Sequence, residues 1–360
     1  MKKKTKKELK QLRTKIDGID ARILSLLNGR AGLVKRIGKA KMNSGGGFYA
    51  PHREKMIISL LASRNKGPLN AASVESIFRE IVSVCRALES KIKVAYLGPE
   101  ATFTHQAAIK NFGAAAEYLP AKSIGDVFNE VEKGRADYGV VPIENSTDGA
   151  VYYTLDMFGA SDLSICSEFS MRIEECLLSR ASGAGDIKKV YSIASALGQC
   201  RQWIEDNLPG VRIQETLSTV NAAQKASKEK NSAAIGPRAA AALHGLDVLA
   251  AGIEDSKENH TRFLVLGHAM ADRSGQDKTS IMVSLKDRVG ALHDMLVPFK
   301  KNRISLTKIE SRPTKKKAWE YVFFIDFLGH VSEKRVQKAL KGLEKGCSMI
   351  KVLGSYPKAE

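Results

Sequence analysis

The 360-residue sequence contains little cysteine and no long uninterrupted run of apolar side chains. Its five cysteines are odd in number, scattered and without a C-x-x-C pair, which argues against a disulfide framework or a zinc site and favours a reducing compartment. No segment approaches the roughly 20 apolar residues of a membrane-spanning helix. The basic amino terminus leads into an amphipathic pattern rather than into the apolar core of a signal peptide. We therefore expect a cytoplasmic protein with no metal, no cofactor and no membrane partner.

Acidic residues are also scarce, because 39 Asp and Glu stand against 57 Lys and Arg, for a formal net charge of +18. Such an excess suits nucleic acid, an anionic membrane surface or small polyanionic substrates. The sequence carries no helix-turn-helix, RRM or zinc-finger signature, so nucleic-acid binding ranks last and we expect no such partner. At this length two or three domains are expected.

An apolar pattern over residues 9–37 predicts one long helix that packs against another helix. The pattern recurs at alternating spacings of three and four residues, and one of its positions holds an arginine instead of an apolar residue. The positions are Leu9, Leu12, Ile16, Ile19, Ile23, Leu26, Arg30, Leu33 and Ile37. A guanidinium on a helix face that packs against another helix is costly to bury unless a negatively charged group contacts it. We therefore predict an acidic side chain or an anionic ligand beside Arg30. Further helices are expected at about 51–62 and 69–90, so residues 1–90 are predicted to form an all-helical domain.

Two of the other cations in this segment, Arg13 and Lys41, are considered together with Arg30. Lys41 lies eleven residues further, about three turns and roughly 16 Å along one helix face, so both side chains could reach a small ligand between them. Arg13 lies seventeen residues earlier, at about 25 Å, which is too far for one helix to bring both arginines to the same small molecule. Arg13 would have to come from a second, antiparallel chain. A simpler interpretation, in which Arg13 and Lys41 are solvated, stays open.

Short apolar strands alternate with helices beyond residue 91, which is typical of an α/β domain with largely parallel sheets. We expect this domain over residues 91–270. The predicted strands are 92–97, 138–143, 189–193, 233–235 and 263–266. After a polar linker at 272–278, the order strand, helix, strand, strand, helix, strand predicts a ferredoxin-like βαββαβ domain over 278–356.

Hydroxyl and amide side chains stand at four strand-to-helix junctions of the α/β domain. They are Thr102 before Phe103, Asn145 with Ser146, Gln199, and Ser218 with Thr219. Free backbone amides at helix starts, with such side chains beside them, make anion sites at the carboxyl ends of parallel strands. Helix capping explains any one of these junctions, but it explains Glu144 and Asn145 beside Ser146 less well.

The helical segment resembles the all-helical chorismate mutases in residues 12–20 (LRTKIDGID), 38–41 (GKAK) and 49–54 (YAPHRE). The resemblance implies two interlaced chains and a site made of Arg13 from the second chain, Arg30, Lys41, Arg53, Glu54 and Glu89. The arginines would hold the carboxylates of chorismate, Lys41 and Glu89 the ether oxygen, and Glu54 the hydroxyl. Because Glu89 can donate a hydrogen bond only when protonated, we expect mutase activity to fall as rising pH removes that proton.

The α/β segment resembles prephenate dehydratase in residues 140–146 (VVPIENS), 218–219, 234–236 (AIG) and 261–263 (TRF). The resemblance implies a periplasmic-binding-protein-like fold whose second lobe, about 169–255, is inserted into the first. Prephenate would lose carbon dioxide and water there to give phenylpyruvate. The implied catalytic residues are Glu144, Asn145, Ser146, Gln199, Thr261 and Arg262, and the implied substrate contacts are Thr102, Phe103, Ser218, Thr219 and Phe263. Thr261 would act at the leaving hydroxyl, and Arg262 would shape the cleft or hold a carboxylate.

Several residues depart from these families. Ala50 stands where some mutases have aspartate, and Glu89 where some have glutamine. In the dehydratase segment, residues 193–195 (IAS) replace a common His-Pro-Gln, and Ala101 replaces a usual glycine. Tyr153, Glu174 and Glu175 stand where histidine is frequent. Two added carboxylates would weaken the binding of a dianion if they faced the cleft.

Residues 287–292 (DRVGAL) and 310–313 (ESRP) resemble the ACT domain of dehydratases, in which phenylalanine binds between paired domains and inhibits. The implied regulatory residues are Gly290, Ala291, Leu292, Glu310, Ser311, Arg312 and Pro313. Gly290 would permit a close backbone approach, although a plain turn glycine is an equally simple interpretation.

The leading hypothesis is a bifunctional chorismate mutase and prephenate dehydratase, inhibited by phenylalanine and assembled as a homodimer or a dimer of dimers. A second hypothesis is a chorismate mutase fused to a non-catalytic amino-acid or solute sensor, its dehydratase site eroded. Thr261 and Glu144 argue against that alternative, and the missing His-Pro-Gln argues for it.

Overall fold

The computed structural model describes residues 2–42, 51–286, 288–313 and 321–359, without the side chains of residues 2–4, 41 and 42. The described chain divides into two compact units. The first holds the described residues up to 92, except 51–53, together with 112–116, and the second holds the rest. Within the described residues, no helix combines the length and the apolar character needed to cross a membrane.

The amino-terminal segment is helical, as the apolar spacing predicts. Its helices are α1 (Lys2–Met42), α2 (Pro51–Arg64) and α3 (Ala71–Ala87). Asn70 caps α3 by accepting a hydrogen bond from the Ser73 amide at 2.8 Å. The apolar stripe of α1 remains about half exposed along its length, from 48% at Ile23 to 72% at Leu26. The described residues therefore leave about half exposed the apolar stripe that the sequence predicts to pack against another helix.

The second unit begins with a six-stranded sheet, which we call the first lobe together with its helices. Its strand order is β2-β1-β3-β11-β5, and β4 pairs with β3. The strands are β1 (Lys93–Leu97), β2 (Glu117–Ala121), β3 (Tyr138–Asn145), β4 (Gly149–Ala150), β5 (Ser164–Arg172) and β11 (His260–Gly267). The helices are α4 (Phe103–Phe112), α5 (Ile124–Glu132) and α6 (Tyr152–Met157).

The second lobe is a five-stranded sheet in the order β10-β6-β9-β7-β8. Its strands are β6 (Cys176–Ser179), β7 (Lys189–Ser192), β8 (Arg212–Glu215), β9 (Ser232–Gly236) and β10 (Asp247–Ala251). Its helices are α7 (Ala194–Gln199), α8 (Arg201–Asn207), α9 (Thr219–Ala226) and α10 (Arg238–His244). The chain leaves the first sheet after Arg172 and returns at His260, so the second lobe is inserted into the first.

Two predictions for these lobes need correction. The insertion begins after residue 172 rather than at 169, because residues 169–172 complete β5 in register with β11. The sheets are mixed rather than largely parallel. β11 runs antiparallel to β3 and β5, and β6 runs antiparallel to β9 and β10. An apolar run identifies a buried strand but does not give its direction.

The carboxy-terminal domain has the predicted ferredoxin-like βαββαβ order. Its elements are β12 (Asp277–Leu285), α11 (Ala291–Lys301), β13 (Leu306–Pro313), β14 (Tyr321–Leu328), α12 (Lys334–Leu343) and β15 (Cys347–Pro357). The strands form an antiparallel sheet in the order β13-β14-β12-β15. One face of the sheet packs against α11 and α12 through a core that includes Phe299, Val336 and Leu343.

The other face of this sheet packs against the first lobe. Met282, Phe324 and Leu353 share one apolar core with Ile165 and Leu264. The approach is tight at Gly354, where a Cβ atom would lie 2.3 Å from the carbonyl oxygen of Ile165. Only glycine fits this approach, so the two sheets are in direct backbone contact.

Ala101 adopts a left-handed backbone conformation, with φ at +64°, at the turn before α4. This conformation explains why glycine is usual at the position, since a Cβ atom there costs about 1–2 kcal/mol. The methyl group is also buried, with 6% exposure, and replacing it with hydrogen gives up about 0.8 kcal/mol of apolar burial.

We expect Ala101→Gly to change the free energy of unfolding by less than about 1 kcal/mol, since strain relief offsets the lost methyl. The matched control is Ala107→Gly, at a buried helical position of α4, where about 1–2 kcal/mol should be lost. Chemical denaturation of both variants checks this. Equal losses at the two positions would contradict the assigned strain.

Candidate functional site

Arg30 on α1 is partly buried, and its Nη1 atom is buried without a hydrogen-bond partner among the described residues. Leaving a buried donor unpaired is costly, more so when it carries charge. The guanidinium lies near enough to Glu54 to affect the titration of that carboxyl group. A partly buried cation with a vacant donor is the arrangement expected of a site for an anionic ligand.

Glu54 lies in the first turn of α2 and forms an ion pair with Arg86 of α3. Burial raises the pKa of Glu54 above its ordinary value, although the nearby Arg86 and Arg30 guanidiniums partly oppose the rise. Arg86 also donates to the carbonyl oxygen of Phe112 at 2.7 Å. Sequence reasoning overlooked Arg86. The signal was its position directly after Cys85 and four residues after Val82, on the buried side of α3.

The other predicted mutase residues occupy different surroundings. Arg13 is exposed on α1, and Arg53 is exposed in the first turn of α2. Glu89 packs against α1 at Gly38, where a Cβ atom would lie 2.9 Å from the Glu89 Cγ atom. The side chain of Lys41 and residues 49 and 50 lie outside the described residues. Within one chain Arg13 stays a long way from Arg30, as the helical rise requires.

A polar cluster of the first lobe lies where β3 meets β11. The Asn145 side-chain amide donates to the Thr261 Oγ1 atom and to the Asn259 Oδ1 atom, both at 2.9 Å. The Asn145 Oδ1 atom accepts from the amides of Thr147 and Asp148 at 2.8 and 3.0 Å. These contacts fix the orientation of the amide. Because the Thr261 oxygen accepts from Asn145, its own proton is available for donation elsewhere.

Gln199, the last residue of α7, extends this cluster into the second lobe. Its Oε1 atom accepts from the Asn259 side chain at 2.7 Å, and its Nε2 atom donates to the Asp148 carboxylate at 2.6 Å. Asp148 and Asn259 were not predicted. Both stand within three residues of matched positions, next to Ser146 and Thr261, and that proximity was the available signal.

Ser146 closes the loop that follows β3. Its Oγ atom donates to the carbonyl oxygen of Glu258 and accepts from the amide of His260, both at 2.9 Å. The structure therefore brings together four predicted residues, which are Asn145, Ser146, Gln199 and Thr261. Within the described part of the chain, no group of three or more His, Cys, Asp or Glu side chains could hold a metal ion.

The predicted substrate contacts have structural roles in this chain. Thr102 donates from Oγ1 to the carbonyl oxygen of Pro99 at 2.9 Å, ahead of Phe103 at the start of α4. Ser218 caps α9 by accepting from the Asn221 amide at 3.0 Å, and Thr219 packs against Gly236. Capping, the alternative weighed for these junctions, accounts for Thr102 and Ser218. Phe263 is 1% exposed and stacks on Phe169, so it is a core residue.

Arg262 and Glu144 do not point toward Thr261, whereas the resemblance implies that Arg262 shapes the cleft or holds a carboxylate and that Glu144 completes the polar shell. In the β3–β11 pair, Thr261 stands opposite Asn145 and Arg262 stands opposite Glu144. Successive side chains of a strand point to opposite faces of its sheet. Arg262 and Glu144 therefore lie on the face toward the carboxy-terminal domain, where Arg262 contacts Asp326 of β14 at 2.5 Å.

Burial by itself lowers the pKa of Arg262, but Asp326, Tyr356 and Glu168 together raise it above the ordinary arginine value. The guanidinium is therefore held charged by carboxylates of the protein. A substrate carboxylate would have to displace one of them.

The predicted regulatory residues fall into two groups. Gly290 has φ at +77° and precedes Ala291 and the half-exposed Leu292 at the start of α11. Glu310, Ser311, Arg312 and Pro313 end β13, an edge strand in the described sheet. Arg312 forms a bidentate pair with Asp156 of α6 at 3.0 Å and lies 4.3 Å from the centre of the Tyr152 ring. It thereby connects the carboxy-terminal domain to the first lobe.

Comparison with known proteins accounts for all three parts of the chain. Chorismate mutase type II matches residues 12–90, prephenate dehydratase matches 94–271, and the ACT domain matches 279–345. The bifunctional chorismate mutase/prephenate dehydratase of Aquifex aeolicus is 50% identical over 356 residues, with 98% of each chain covered. The Pseudomonas aeruginosa protein of that name is 44% identical over 358 residues, again with 98% of each chain covered. This chain belongs to the bifunctional chorismate mutase/prephenate dehydratase family.

Solved structures resemble the part of the chain that carries the lobes and the ACT domain. A prephenate dehydratase from Arthrobacter aurescens in complex with L-Phe is 36% identical, with a TM-score of 0.69, and the match covers 74% of this chain and 90% of that chain. The prephenate dehydratase of Staphylococcus aureus is 28% identical with a TM-score of 0.64, and the match covers 74% of this chain and 100% of that chain.

The dehydratase segment also contains a buried carboxyl pair in its two crossings between lobes. Glu175 is 2% exposed and Glu254 1% exposed, and the Glu175 amide donates to the Glu254 carboxylate at 3.0 Å. The Oε2 atom of Glu175 has no hydrogen-bond partner among the described residues. Burial, assisted by the charge of Glu254, raises the pKa of Glu175 to about 8. Its neighbour Glu174 is instead half-exposed, 3.9 Å from Arg238.

We expect this carboxyl group to make the second unit less stable as pH rises. The folded pKa lies above the ordinary 4.5, so the stabilisation is complete below pH 4.5 and is lost by about pH 8. In that window the free energy of unfolding should fall by about 1.4 kcal/mol per pH unit relative to Glu175→Gln. Denaturation at several pH values checks this, with Glu174→Gln as the control that should keep the wild-type slope. Identical slopes for the wild type and Glu175→Gln would show that the buried carboxyl pair does not cause the pH dependence.

Proposed function

We propose that the chain rearranges chorismate to prephenate in its helical domain, residues 1–90, and converts prephenate to phenylpyruvate in its two-lobed domain, residues 91–270. Phenylalanine would bind the ACT domain, residues 278–356, and inhibit. The observation that carries this proposal is the relative with both activities in its name, 50% identical along 98% of the chain with the same three families in order. The L-Phe complex of a related dehydratase supports the proposed inhibitor.

The mutase reaction needs no nucleophile and no proton transfer, only a compact substrate conformer and donors where negative charge develops. We assign Arg30 to a substrate carboxylate because its buried Nη1 atom lacks a partner. Arg53, Lys41 and Glu89 are proposed from the family pattern to complete the site. Glu54, paired with Arg86, would receive the substrate hydroxyl through its second oxygen.

The dehydratase reaction needs carbon dioxide and a ring hydroxyl to leave together as the ring becomes aromatic. A proton delivered to the hydroxyl assists its departure as water. Thr261 suits this role because its oxygen accepts from Asn145 and its proton is free to reach the substrate. Asn145, Asn259 and Gln199 would hold Thr261 and the two lobes in register.

Two chains are proposed to share each mutase site. The uncovered apolar stripe of α1 and the distance between Arg13 and Arg30 support an interlaced homodimer. The open edge of β13, with Glu310 and Ser311, supports pairing of ACT domains around phenylalanine and so a homodimer or a dimer of dimers. All five cysteines are free and buried, which fits a reducing, cytoplasmic setting.

The alternative is a mutase fused to a non-catalytic two-lobed sensor. It is favoured by residues 193–195, which lack the common His-Pro-Gln, and by Glu175 in place of a frequent histidine. Purified protein given chorismate separates the two proposals. Accumulation of prephenate without phenylpyruvate would leave the mutase function standing and favour the sensor alternative.

We expect the two reactions to be separable by single substitutions. Arg30→Gln should lower the mutase rate by about 100-fold or more, because it removes a carboxylate ligand, with the dehydratase rate unchanged. Thr261→Val should lower the dehydratase rate by about 100-fold or more, with the mutase rate unchanged. Assays that start from chorismate and from prephenate measure the two rates independently.

Matched controls are Arg36→Gln, exposed on the same helix as Arg30, and Ser227→Ala at the end of α9. Both should leave both rates at the wild-type level. A Thr261→Val variant with normal dehydratase activity would exclude the hydroxyl as the proton donor.

We expect mixed dimers to reveal a shared mutase site. An Arg13→Gln chain and an Arg30→Gln chain are each inactive alone, but their mixed dimer has one intact site and one doubly altered site. Random re-pairing should therefore restore about a quarter of the wild-type mutase rate. No recovery after unfolding and refolding the mixture, with recovery in a wild-type sample treated alike, would mean that each site is built from one chain.

A further inference from the structure

Arg86 of α3 is buried beside Glu54, the carboxyl group proposed to hold the hydroxyl of chorismate. The Arg86 Nη1 atom forms an ion pair with the Glu54 Oε1 atom. Both side chains are largely withdrawn from water, with 7% exposure for Arg86 and 20% for Glu54. A charge-assisted contact is stronger in such surroundings than at the surface, because water screens it less.

The Arg86 guanidinium is held on a second side as well. Its Nη2 atom donates to the carbonyl oxygen of Phe112 at 2.7 Å, and its Cζ atom lies 5.7 Å from the centre of the Phe112 ring. Arg86 also stands in the last turn of α3, where the helix dipole favours a cation. The Phe112 carbonyl has no net charge, so it orients the guanidinium, whereas Glu54 neutralises it.

The ion pair decides which oxygen of Glu54 can serve the substrate. Oε1 accepts from Arg86, so Oε2 is the oxygen that the pair leaves for the hydroxyl of chorismate. An ionised carboxylate only accepts hydrogen bonds, which suits a hydroxyl donor. A proton added to Glu54 would go to Oε2, because Oε1 already contacts a cation, and it would turn that acceptor into a donor. Glu54 is therefore the better acceptor for the substrate hydroxyl in its charged form.

Burial works against this charged form, and neighbouring cations support it. Burial raises the pKa of Glu54 above its ordinary value. The charge and the hydrogen bond of Arg86 oppose this rise most strongly, and the charges of Arg79 on α3 and Arg30 on α1 oppose it less. Arg79 also pairs with Glu75, and Arg30 is assigned to a substrate carboxylate, so both serve other anions. Arg86 is therefore the main support of the Glu54 charge.

We propose that Arg86 is a positioning residue for the mutase reaction, holding the Glu54 carboxylate charged and oriented so that its Oε2 atom accepts from the hydroxyl of chorismate. The inference rests on the proposed mutase function and deepens it. Arg86 acts through Glu54 and is not a substrate ligand. Mutase activity then depends on an internal ion pair as well as on the cations that meet the substrate carboxylates.

Arg86→Met in the full chain tests this role because it removes the charge and keeps an unbranched apolar side chain. In the wild type, kcat/KM for chorismate should decline as pH falls through the Glu54 pKa, since protonation removes the acceptor. Without Arg86 burial raises that pKa further, so the midpoint of the decline should move up by about one pH unit or more. At the wild-type midpoint the variant should keep less than about a fifth of the wild-type kcat/KM.

Arg86→Lys and Arg64→Met are the matched variants. Arg86→Lys restores a cation at the same place without the planar fork, so the midpoint should return most of the way and the rate in part. Arg64 is exposed in the last turn of α2, and its replacement by Met should change neither the rate nor the midpoint. A midpoint does not depend on the amount of folded protein, so a purely structural role of Arg86 would lower the rate without this shift.

A second substitution separates positioning from substrate binding. In a Glu54→Gln chain the decline due to Glu54 should be absent, and adding Arg86→Met should change kcat/KM by less than about twofold, because Arg86 acts through Glu54. The double variant removes one buried anion and one buried cation together, so it should fold. If Arg86 instead contacted the substrate, Arg86→Met would lower kcat/KM by the same factor in both chains. That result would overturn the inference.

The wild type separates failure of this inference from failure of the proposed function. An active wild-type mutase whose midpoint is unchanged in Arg86→Met would overturn the inference alone. A wild type that does not convert chorismate to prephenate at any pH would overturn the proposed mutase function and the inference together.

Discussion

The pairing of β3 with β11 is the constraint on which the second unit depends. It joins β11, the strand by which the chain returns from the second lobe, to β3, which ends at Asn145. It also sets which residues face which side. The register that puts Thr261 opposite Asn145 necessarily puts Arg262 opposite Glu144 on the other face. One backbone arrangement thus places a neutral hydroxyl-amide pair on one face of the sheet and, on the other face, a charged pair that contacts the ACT domain.

The ACT domain is packed closely against the first lobe. Its sheet uses one face for its own helices and the other for the apolar core of the first lobe. Gly354 brings the backbones of β15 and β5 into contact, and Arg312 reaches Asp156 on the helix that follows the β3 loop. A ligand that shifts the ACT sheet must alter at least one of these contacts, which is the differential interaction that allosteric inhibition requires.

The sequence was sufficient to predict element order wherever the apolar pattern was strong. The long α1, the helices that follow it and the βαββαβ domain are present as predicted. The weaker strands were missed for identifiable reasons. β2 contains Pro120, which argues against a strand, but β2 lies at the edge of its sheet, where proline is tolerated. β5 carries charged Glu168 within its buried pattern, and the charge is acceptable only because Arg262 and Lys278 meet it from other elements.

The site shows the same division between local and long-range information. Asn145, Ser146, Gln199 and Thr261 were predicted because they lie in recognisable local motifs. Asp148 and Asn259 complete the same cluster and lie in the same two local runs, but they were not predicted as site residues. The face to which Arg262 points follows from strand alternation, yet β11 was predicted to start only after it, at Phe263. Once β11 is extended back to His260, simple alternation separates Arg262 from Thr261.

The partly buried arginines differ in whether a carboxylate of the chain pairs with them. The guanidiniums of Arg86, Arg262 and Arg312 are largely buried, and each meets a carboxylate of the chain. Their charges are balanced internally and are unavailable to a free anion without displacement of a partner. Arg30 differs, because it keeps a buried nitrogen unpaired among the described residues, on a helix whose apolar stripe is uncovered. Leaving a buried charged donor unpaired is costly, and this cost is the physical basis for proposing an external anion as the partner of Arg30.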